Sequence, residues 1–580
     1  MNKPKSPALI AAEAAQAKLD ACLDAQANFR LEAGAGAGKT YSLVAALKKI
    51  IAEKGYALMH AGQQVACITY TEVARKEIAN DIEERPAILV NTIHGFGWAF
   101  ISRFQKALRQ LVLDTADEKR QKLIDEAGGI HDQRVDYSFG FFGVDEARIT
   151  LHHDDVPAYL AALLGNPKFQ RIFASLYPVL FIDEYQDTDP LVMDALSDHF
   201  FEPRVGPITG LFGDHWQTIY RKDYELTAFP HVEGIDKGSN FRSVQVIVDV
   251  LNRLRPELMQ EVDDPDVAGE ARFFHCNSFA GERVDRPHAR RELPDTVLAD
   301  AIARTKQTLS DDGWNFEPAT TKILMLTHNV IAAERGYRTL ASIYDHKDAL
   351  VKKEDAVIAF LVDMIGPVCD AYAAGKHGAM FALMGGIPTI RKAADKASWR
   401  QDMEQLAELC VNGSIGQVLD HLKETRRPRL PDRVAAHEED IARLGPEVTE
   451  DEPNSLKRYR QLREVAFSEI VALSQFINGF TPFATQHSVK GAEFDDVLVI
   501  LSGGWNHYNW PKFLELCEAE NIAAKDKGGF YRARNLFYVA ISRPKRRLAV
   551  LATQALSATA MATVEKLFLA ENIVAVPLGE

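Results

Sequence analysis

Cysteine is scarce in this chain: Cys22, Cys67, Cys276, Cys369, Cys410 and Cys517 are scattered over 580 residues with no Cys-x-x-Cys pair. That spacing argues against a disulfide framework, a zinc ribbon and a cysteine-held iron–sulfur cluster. Long apolar runs are missing too, none approaching the roughly 20 residues that cross a bilayer. The opening Met1-Asn2-Lys3-Pro4-Lys5 leads into an Ala-rich amphipathic helix with Glu13 and Asp20, unlike a signal peptide. The expectation is a cytoplasmic protein without membrane contact. There is no internal repeat and no low-complexity tract. Nor is there an excess of positive charge: 67 Lys and Arg stand against 81 Asp and Glu, a formal net charge of −14. This balance does not exclude a nucleic-acid partner, because such binding depends on a local basic track. The short clusters Arg290-Arg291, Arg426-Arg427-Pro428-Arg429 and Lys545-Arg546-Arg547 are each more often a solvated face, so charge alone leaves that question open.

What is present is ordinary globular composition, 47% hydrophobic and 26% charged, with length for about four domains. Against it, Asp183-Glu184-Tyr185-Gln186-Asp187-Thr188 stands out. It follows Val179-Leu180-Phe181-Ile182, a run that reads as a short strand buried on both faces. Two carboxylates at the end of such a strand are costly unless a cation or a reacting water uses them. In a P-loop NTPase the first acid holds Mg²⁺ and a nearby group orients the attacking water. Upstream, Ala33-Gly34-Ala35-Gly36-Ala37-Gly38-Lys39-Thr40 joins a strand-like entry, Phe29-Arg30-Leu31, to a helical pattern from Tyr41 to Ile51. Its glycines let backbone N–H groups turn toward phosphate oxygens, and the helix N-terminus faces the same anion. Lys39 would reach the β- and γ-phosphates and the Thr40 hydroxyl would ligate Mg²⁺. Ala33 stands where the usual pattern begins with Gly. The expected cofactors are therefore ATP, cradled by residues 33–40, and Mg²⁺, held by Thr40 and Asp183.

Strand and helix signals alternate around these motifs. Gln64–Tyr70 reads as a strand, Val73–Glu83 as a helix, Ile88-Leu89-Val90 as a strand, and Leu211–Asp214 as the end of another. Such alternation predicts a parallel sheet with helices on both faces. Residues 100–175 turn mostly helical, with a Gly- and Phe-rich loop near 138–143. A second α/β segment begins near Asn240 and includes Thr321–Thr327. From 345 to 475 helical periodicity dominates, and strand signals return at Asp496–Leu501 and Arg547–Leu551.

Further motifs follow in order. They are Ile68-Thr69-Tyr70-Thr71 with Ala74-Arg75, then Thr92-Ile93-His94-Gly95-Phe96, then Gly213-Asp214-His215-Trp216-Gln217-Thr218-Ile219-Tyr220. After these come Asn240-Phe241-Arg242-Ser243, then Gln486 through Phe494, then Asn535 through Arg543. The set resembles superfamily 1 helicases of the UvrD/Rep type, specifically over about residues 10–100, 175–245 and 480–555. The resemblance implies an α/β fold of two RecA-like P-loop NTPase domains with parallel sheets, each carrying a mostly helical insertion. The first domain would comprise 1–99 and 175–239 around the insertion 100–174. The second would comprise 240–344 and 477–580 around the insertion 345–476.

The same resemblance assigns roles. Asp183 is the implied Mg²⁺ ligand, Glu184 the general base and Gln217 the γ-phosphate sensor. Arg242 and Arg543 would come from the second domain to stabilise charge on the transferred phosphoryl group, a task arginine performs across a cleft. Phe241, in place of the usual Tyr, would stack on adenine, Glu493 would bind the ribose, and Gln16 lies about where an adenine-reading Gln is expected. Single-stranded or tailed duplex DNA is the implied partner. Stacking on aromatics suits a motor that steps along any sequence. Tyr70, Phe96 and Tyr220 are the implied stacking residues, and Thr92 and His94 would contact the backbone, with His487 another DNA contact. Lys222 occupies the usual tryptophan position of the third motif, for which Trp216 or Tyr224 would compensate.

Movement 3′-to-5′ with strand separation is the implied activity. A DNA-stimulated ATPase acting as a sensor or regulatory subunit of a nuclease complex is the alternative, and an RNA-directed motor a weaker one. The chain ends too soon after Arg543 for a fused nuclease domain, and both insertions are short. Its size and style resemble compact helicases found beside OLD-family nucleases in Gabija-like anti-phage systems. That likeness implies an OLD-family nuclease partner and leaves DNA repair and antiviral defence both open.

Overall fold

The uninterrupted apolar runs become interior strands of parallel sheets, where both faces are covered by helices. In the computed structural model residues 5–579 are described, except 84, 138–141, 219–228, 287–288, 326–331, 333–335, 345–349, 351–352, 354, 387–389, 391, 446–451, 478–482, 486–491 and 504–507. Two compact units divide the chain: Met1–Ala271 with Lys512–Arg547 and Thr559–Glu571, and Arg272–Pro511 with Leu548–Ala558 and Asn572–Glu580.

The first unit is built on a six-stranded sheet in the order Ile88–Thr92, Val65–Thr69, Val179–Asp183, Ile208–Gly213, Asn28–Ala33, Val232–Lys237. Every pairing in it is parallel. Phe29, Phe181 and Phe212 meet edge-on across the central strands, with centroids 5.2–6.0 Å apart. Gly210 is required there, because a Cβ on it would fall 2.5 Å from the Phe29 ring. The register aligns Asp183 with Phe212, and Glu32 with Gly213. It therefore brings the carboxyl ends of three strands level, where α/β sheets bind ligands.

The stretch between the third and fourth sequence strands carries helices Gln105–Thr115, Glu118–Glu126, Asp155–Leu164 and Pro167–Leu176. It also carries a small sheet of Arg134–Tyr137, Gly143–Val144 and Arg148–Leu151, which the helical expectation missed. Two to four residues are too few to print an alternating pattern in the sequence.

The second sheet runs in the order Phe483–Thr485, Thr321–Met325, Phe494–Leu501, Pro544–Ala552, Glu270–His275, Ile573–Ala575. The pairings of Thr321–Met325 with its two neighbours are parallel, as is that of the two last-named strands. In the second unit the regular elements among the described residues from 355 to 477 are all helices, joined by turns and loops, apart from an isolated bridge between Ser414 and Ala466. Ala356–Ala373 is long and apolar enough by composition to cross a membrane. Its Val357, Ile358, Leu361, Ile365 and Val368 are instead buried in the core of this unit.

Candidate nucleotide site

The loop after Ala33 curls through two left-handed glycines, Gly36 at φ +77° and Gly38 at φ +73°, and Gly38 caps the helix Lys39–His60. A Cβ on Gly36 would lie 2.8 Å from both Arg242 Cβ and Asn240 Oδ1, so conformation and space both demand glycine. The loop carbonyls are held from one side. Asn240 Nδ2 and Gln260 Nε2 each donate to Ala35 O at 3.1 Å, and the Phe241 N–H donates to Gly36 O at 2.9 Å. Ser239 Oγ donates to Ala37 O at 3.0 Å, and Lys237 Nζ to Gly38 O and Ser42 Oγ at 2.8 Å each. In a trans peptide N–H opposes C=O, so the N–H groups of Gly36, Gly38 and Lys39 point away from these donors, as a phosphate cradle requires. Burial lowers the pKa of Lys237 to about 8.

Lys39 Nζ lies 3.2 Å from Asp183 Oδ1 and 2.5 Å from Glu184 Oε1. Burial opposes its charge, but the two carboxylates outweigh that and raise its pKa above the ordinary lysine value. Asp183 is buried, and desolvation raises its pKa despite Lys39. A buried carboxylate left short of positive charge suits a divalent cation. Asp183 and the half-buried Thr40 are the residues that would hold Mg²⁺ there. Glu184 stands in the left-handed region at φ +52°, just beyond the strand, with its side chain a quarter exposed. Gln186 Nε2 donates to its carboxylate.

Gln217 Nε2 donates to Asp214 Oδ2 at 2.9 Å, and its Oε1 lies 3.5 Å from Arg543 Nη2. Arg543 is buried, donating from Nε to Val539 O at 2.8 Å and from Nη2 to Ser542 Oγ at 3.0 Å. Burial and the neighbouring Arg242 both work against its charge, so an anion beside it is favoured. Arg242 Nη1 donates to Ser542 O at 3.0 Å. The resemblance assigns both arginines to the second domain; in the structure they pack in the first compact unit with Lys39 and Asp183. Phe241 is 45% exposed and its ring passes 3.8 Å from the Cβ position of Gly38, which leaves a face for a base. Gln16 gives its Nε2 to Asp20 at 3.1 Å, and its Oε1 is a buried acceptor without a partner among the described residues. Glu493 is exposed in the second unit.

The residues expected to meet DNA fare differently. Tyr70 is exposed just past the strand Val65–Thr69. Thr92 caps the helix Ile93–Ile101, its hydroxyl accepting from the Gly95 N–H. The His94 ring stacks on His153, centroids 3.4 Å apart, and burial with His153 lowers its pKa to about 4. Phe96 is a correction. It is 1% exposed, edge-on to Phe173 and tilted against Tyr177, and so belongs to the core rather than to a stacking track. Trp216 is also buried, with the Arg534 guanidinium 3.9 Å over its ring. Tyr220, Lys222, Tyr224 and His487 lie outside the described residues. The sequence reading missed Lys237, Ser239 and Gln260, which set the loop. Only the closeness of Lys237 and Ser239 to Asn240 hinted at them.

An AAA domain is matched over residues 19–223. The chain is similar to the Gabija protein GajB of Bacillus cereus (strain HuB5-5), 22% identical over 658 aligned positions that span 91% of this chain and 93% of that protein. Among solved structures it is similar to the arterivirus nonstructural protein 10 helicase at 9% identity and a TM-score of 0.28, covering 93% of this chain and 61% of that one.

Proposed function

From a helicase-like chain with an AAA domain and the motif order of UvrD/Rep helicases, we propose an ATP-dependent motor that moves 3′-to-5′ on single-stranded DNA and separates strands. Lys39 shared between Asp183 and Glu184, with Gln217 and Arg543 in the same unit, carries this reading. Lys39 and the loop N–H groups bind the β- and γ-phosphates, and Asp183 and Thr40 would hold Mg²⁺, which would offset charge developing on the phosphates. Glu184 takes the proton of the attacking water. Arg543 and Arg242 stabilise the transferred phosphoryl group. Phe241 stacks on adenine, and Gln16 Oε1 accepts from its amino group. Hydrolysis couples to motion between two RecA-like domains, and Tyr70 and His94 touch the strand.

Similarity to GajB along nine-tenths of the chain favours anti-phage defence over repair, and the partner we propose is an OLD-family nuclease. Co-purification with such a nuclease tests the partner. ATP turnover with and without single-stranded DNA, then displacement of 3′- against 5′-tailed duplexes, tests the motor. Unwinding only of 3′-tailed duplex is expected, and unwinding only of the 5′-tailed form would reverse the direction. Stimulated turnover without unwinding on either tail would favour a second reading, the DNA-stimulated ATPase sensor. That reading draws support from Trp216, which is buried under Arg534 rather than offered to a base.

A further inference from the structure

Arg255 belongs to none of the sequence motifs, yet it stands at the centre of a buried polar cluster behind the loop. It follows the helix Gln245–Leu254 and is 2% exposed. Its Nη1 donates to Asp214 Oδ1 at 2.7 Å and lies 3.5 Å from the Tyr538 hydroxyl. Its Nη2 lies 3.7 Å from Glu32 Oε2 and 3.5 Å from His215 Nδ1, while Nε is 3.5 Å from Glu257. The guanidinium also sits over the rings of Trp216 and Tyr538, at 5.1 and 5.5 Å. Glu32, Asp214 and His215 converge closely enough for a metal, but Arg255 already supplies the cation among them.

Two functional groups hang from this cation. Asp214 spends one oxygen on Arg255 and the other on Gln217 Nε2, which fixes the amide with its Oε1 toward Arg543. The Tyr538 hydroxyl accepts from the Ala35 N–H at 3.1 Å, so the same Nη1 that holds Asp214 also steadies the P-loop backbone. Burial alone would raise the Asp214 pKa; Arg255, with the Gln217 amide and His215, outweighs it and lowers the pKa, which favours the ionised acceptor.

We propose that Arg255 is a positioning residue, whose Nη1 sets Gln217 through Asp214 and the P-loop through Tyr538 while its Nη2 faces Glu32 and His215, so that one guanidinium aligns phosphate sensing with phosphate binding. The inference rests on the ATPase reading above. A lysine would keep the charge but not the fork.

The test is a double-mutant cycle on ATP turnover with R255K, Q217A and R255K/Q217A, alongside Y538F, with nucleotide affinity read by a fluorescent ADP analogue. R255K should lower kcat on the order of 10²-fold through misplacement of Gln217. Adding R255K to Q217A should lower it no further. Y538F keeps the ring and loses only the hydroxyl; it should raise the nucleotide Kd by roughly 2–10-fold, the worth of one hydrogen bond, and leave kcat at saturation nearly intact. Effects of R255K and Q217A that simply multiply would overturn the proposal and leave Arg255 as packing. So would an unchanged nucleotide affinity in Y538F. Should R255K not fold, D214N cuts the same link from the other side, and multiplication with Q217A again overturns it. A wild-type protein without turnover would sink the ATPase reading itself, an outcome distinct from these.

Discussion

Lys39→Ala removes the ammonium that lies against both Asp183 and Glu184. ATP turnover should vanish, because the charge that reaches the β- and γ-phosphates goes with it. The structure adds a second, thermodynamic consequence. Removing one partner of a buried ion pair costs about 3–5 kcal/mol, and here Asp183 is buried while Glu184, a quarter exposed, is partly screened. The lower part of that range applies, and at about 1.5 °C per kcal/mol for a unit of roughly 320 residues it lowers Tm by about 4–6 °C.

The loss should depend on pH with a definite sign. Burial raises the folded-state pKa of Asp183 above the ordinary carboxyl value of 3.8, with Lys39 opposing it. A raised acid binds its proton more tightly when folded, so its stabilising contribution is present below about 3.8 and is lost as pH rises through the folded value. Without Lys39 that folded value climbs further, and the deficit of the variant should widen from acid toward neutral pH. Scanning calorimetry of both proteins across that range, with turnover measured in parallel, checks this. Retained turnover would refute the P-loop assignment. An unchanged Tm with a parallel pH profile would refute the ion pair.

Arg543→Ala should cut kcat by about 10³-fold while nucleotide Kd, read by fluorescence titration, stays within a few-fold; equal loss of binding would mean a structural arginine. Phe96→Ala should destabilise the fold by about 3–5 kcal/mol, the usual cost of deleting a buried phenyl ring, seen as a lowered denaturation midpoint with DNA affinity of the folded fraction unchanged. His94, with its pKa lowered to about 4 from 6.5 by burial and by His153, is neutral at pH 7 and contributes stability that is complete above 6.5 and lost as pH falls toward 4. His94→Asn should therefore flatten the dependence of Tm on pH within that window.

Much of the candidate nucleotide site was legible because its chemistry is local. A phosphate cradle needs glycines at fixed positions before a helix, and Gly36 and Gly38 adopt the left-handed conformations their spacing implied. The strand Val179–Asp183 is buried along its whole length, as its apolar run required. Phe96 could not be sorted this way: an aromatic after a strand looks the same whether it faces a base or, as here, Phe173 and Tyr177. The small sheet at Arg134–Leu151 was equally hidden, since strands of two to four residues carry no period.

By itself the sequence determined the loop, the acidic strand end and the alternation that makes the sheets parallel, because each depends on residues close together in the chain. Tertiary structure alone decided what surrounds them. Lys237, Ser239 and Gln260 hold the carbonyls of a loop some 200 residues upstream. Arg255 joins Asp214 to Tyr538, which lies 283 residues away in the chain. Desolvation decides which of these charges are costly and which are compensated, and it depends on neighbours in space that no spacing in the sequence encodes.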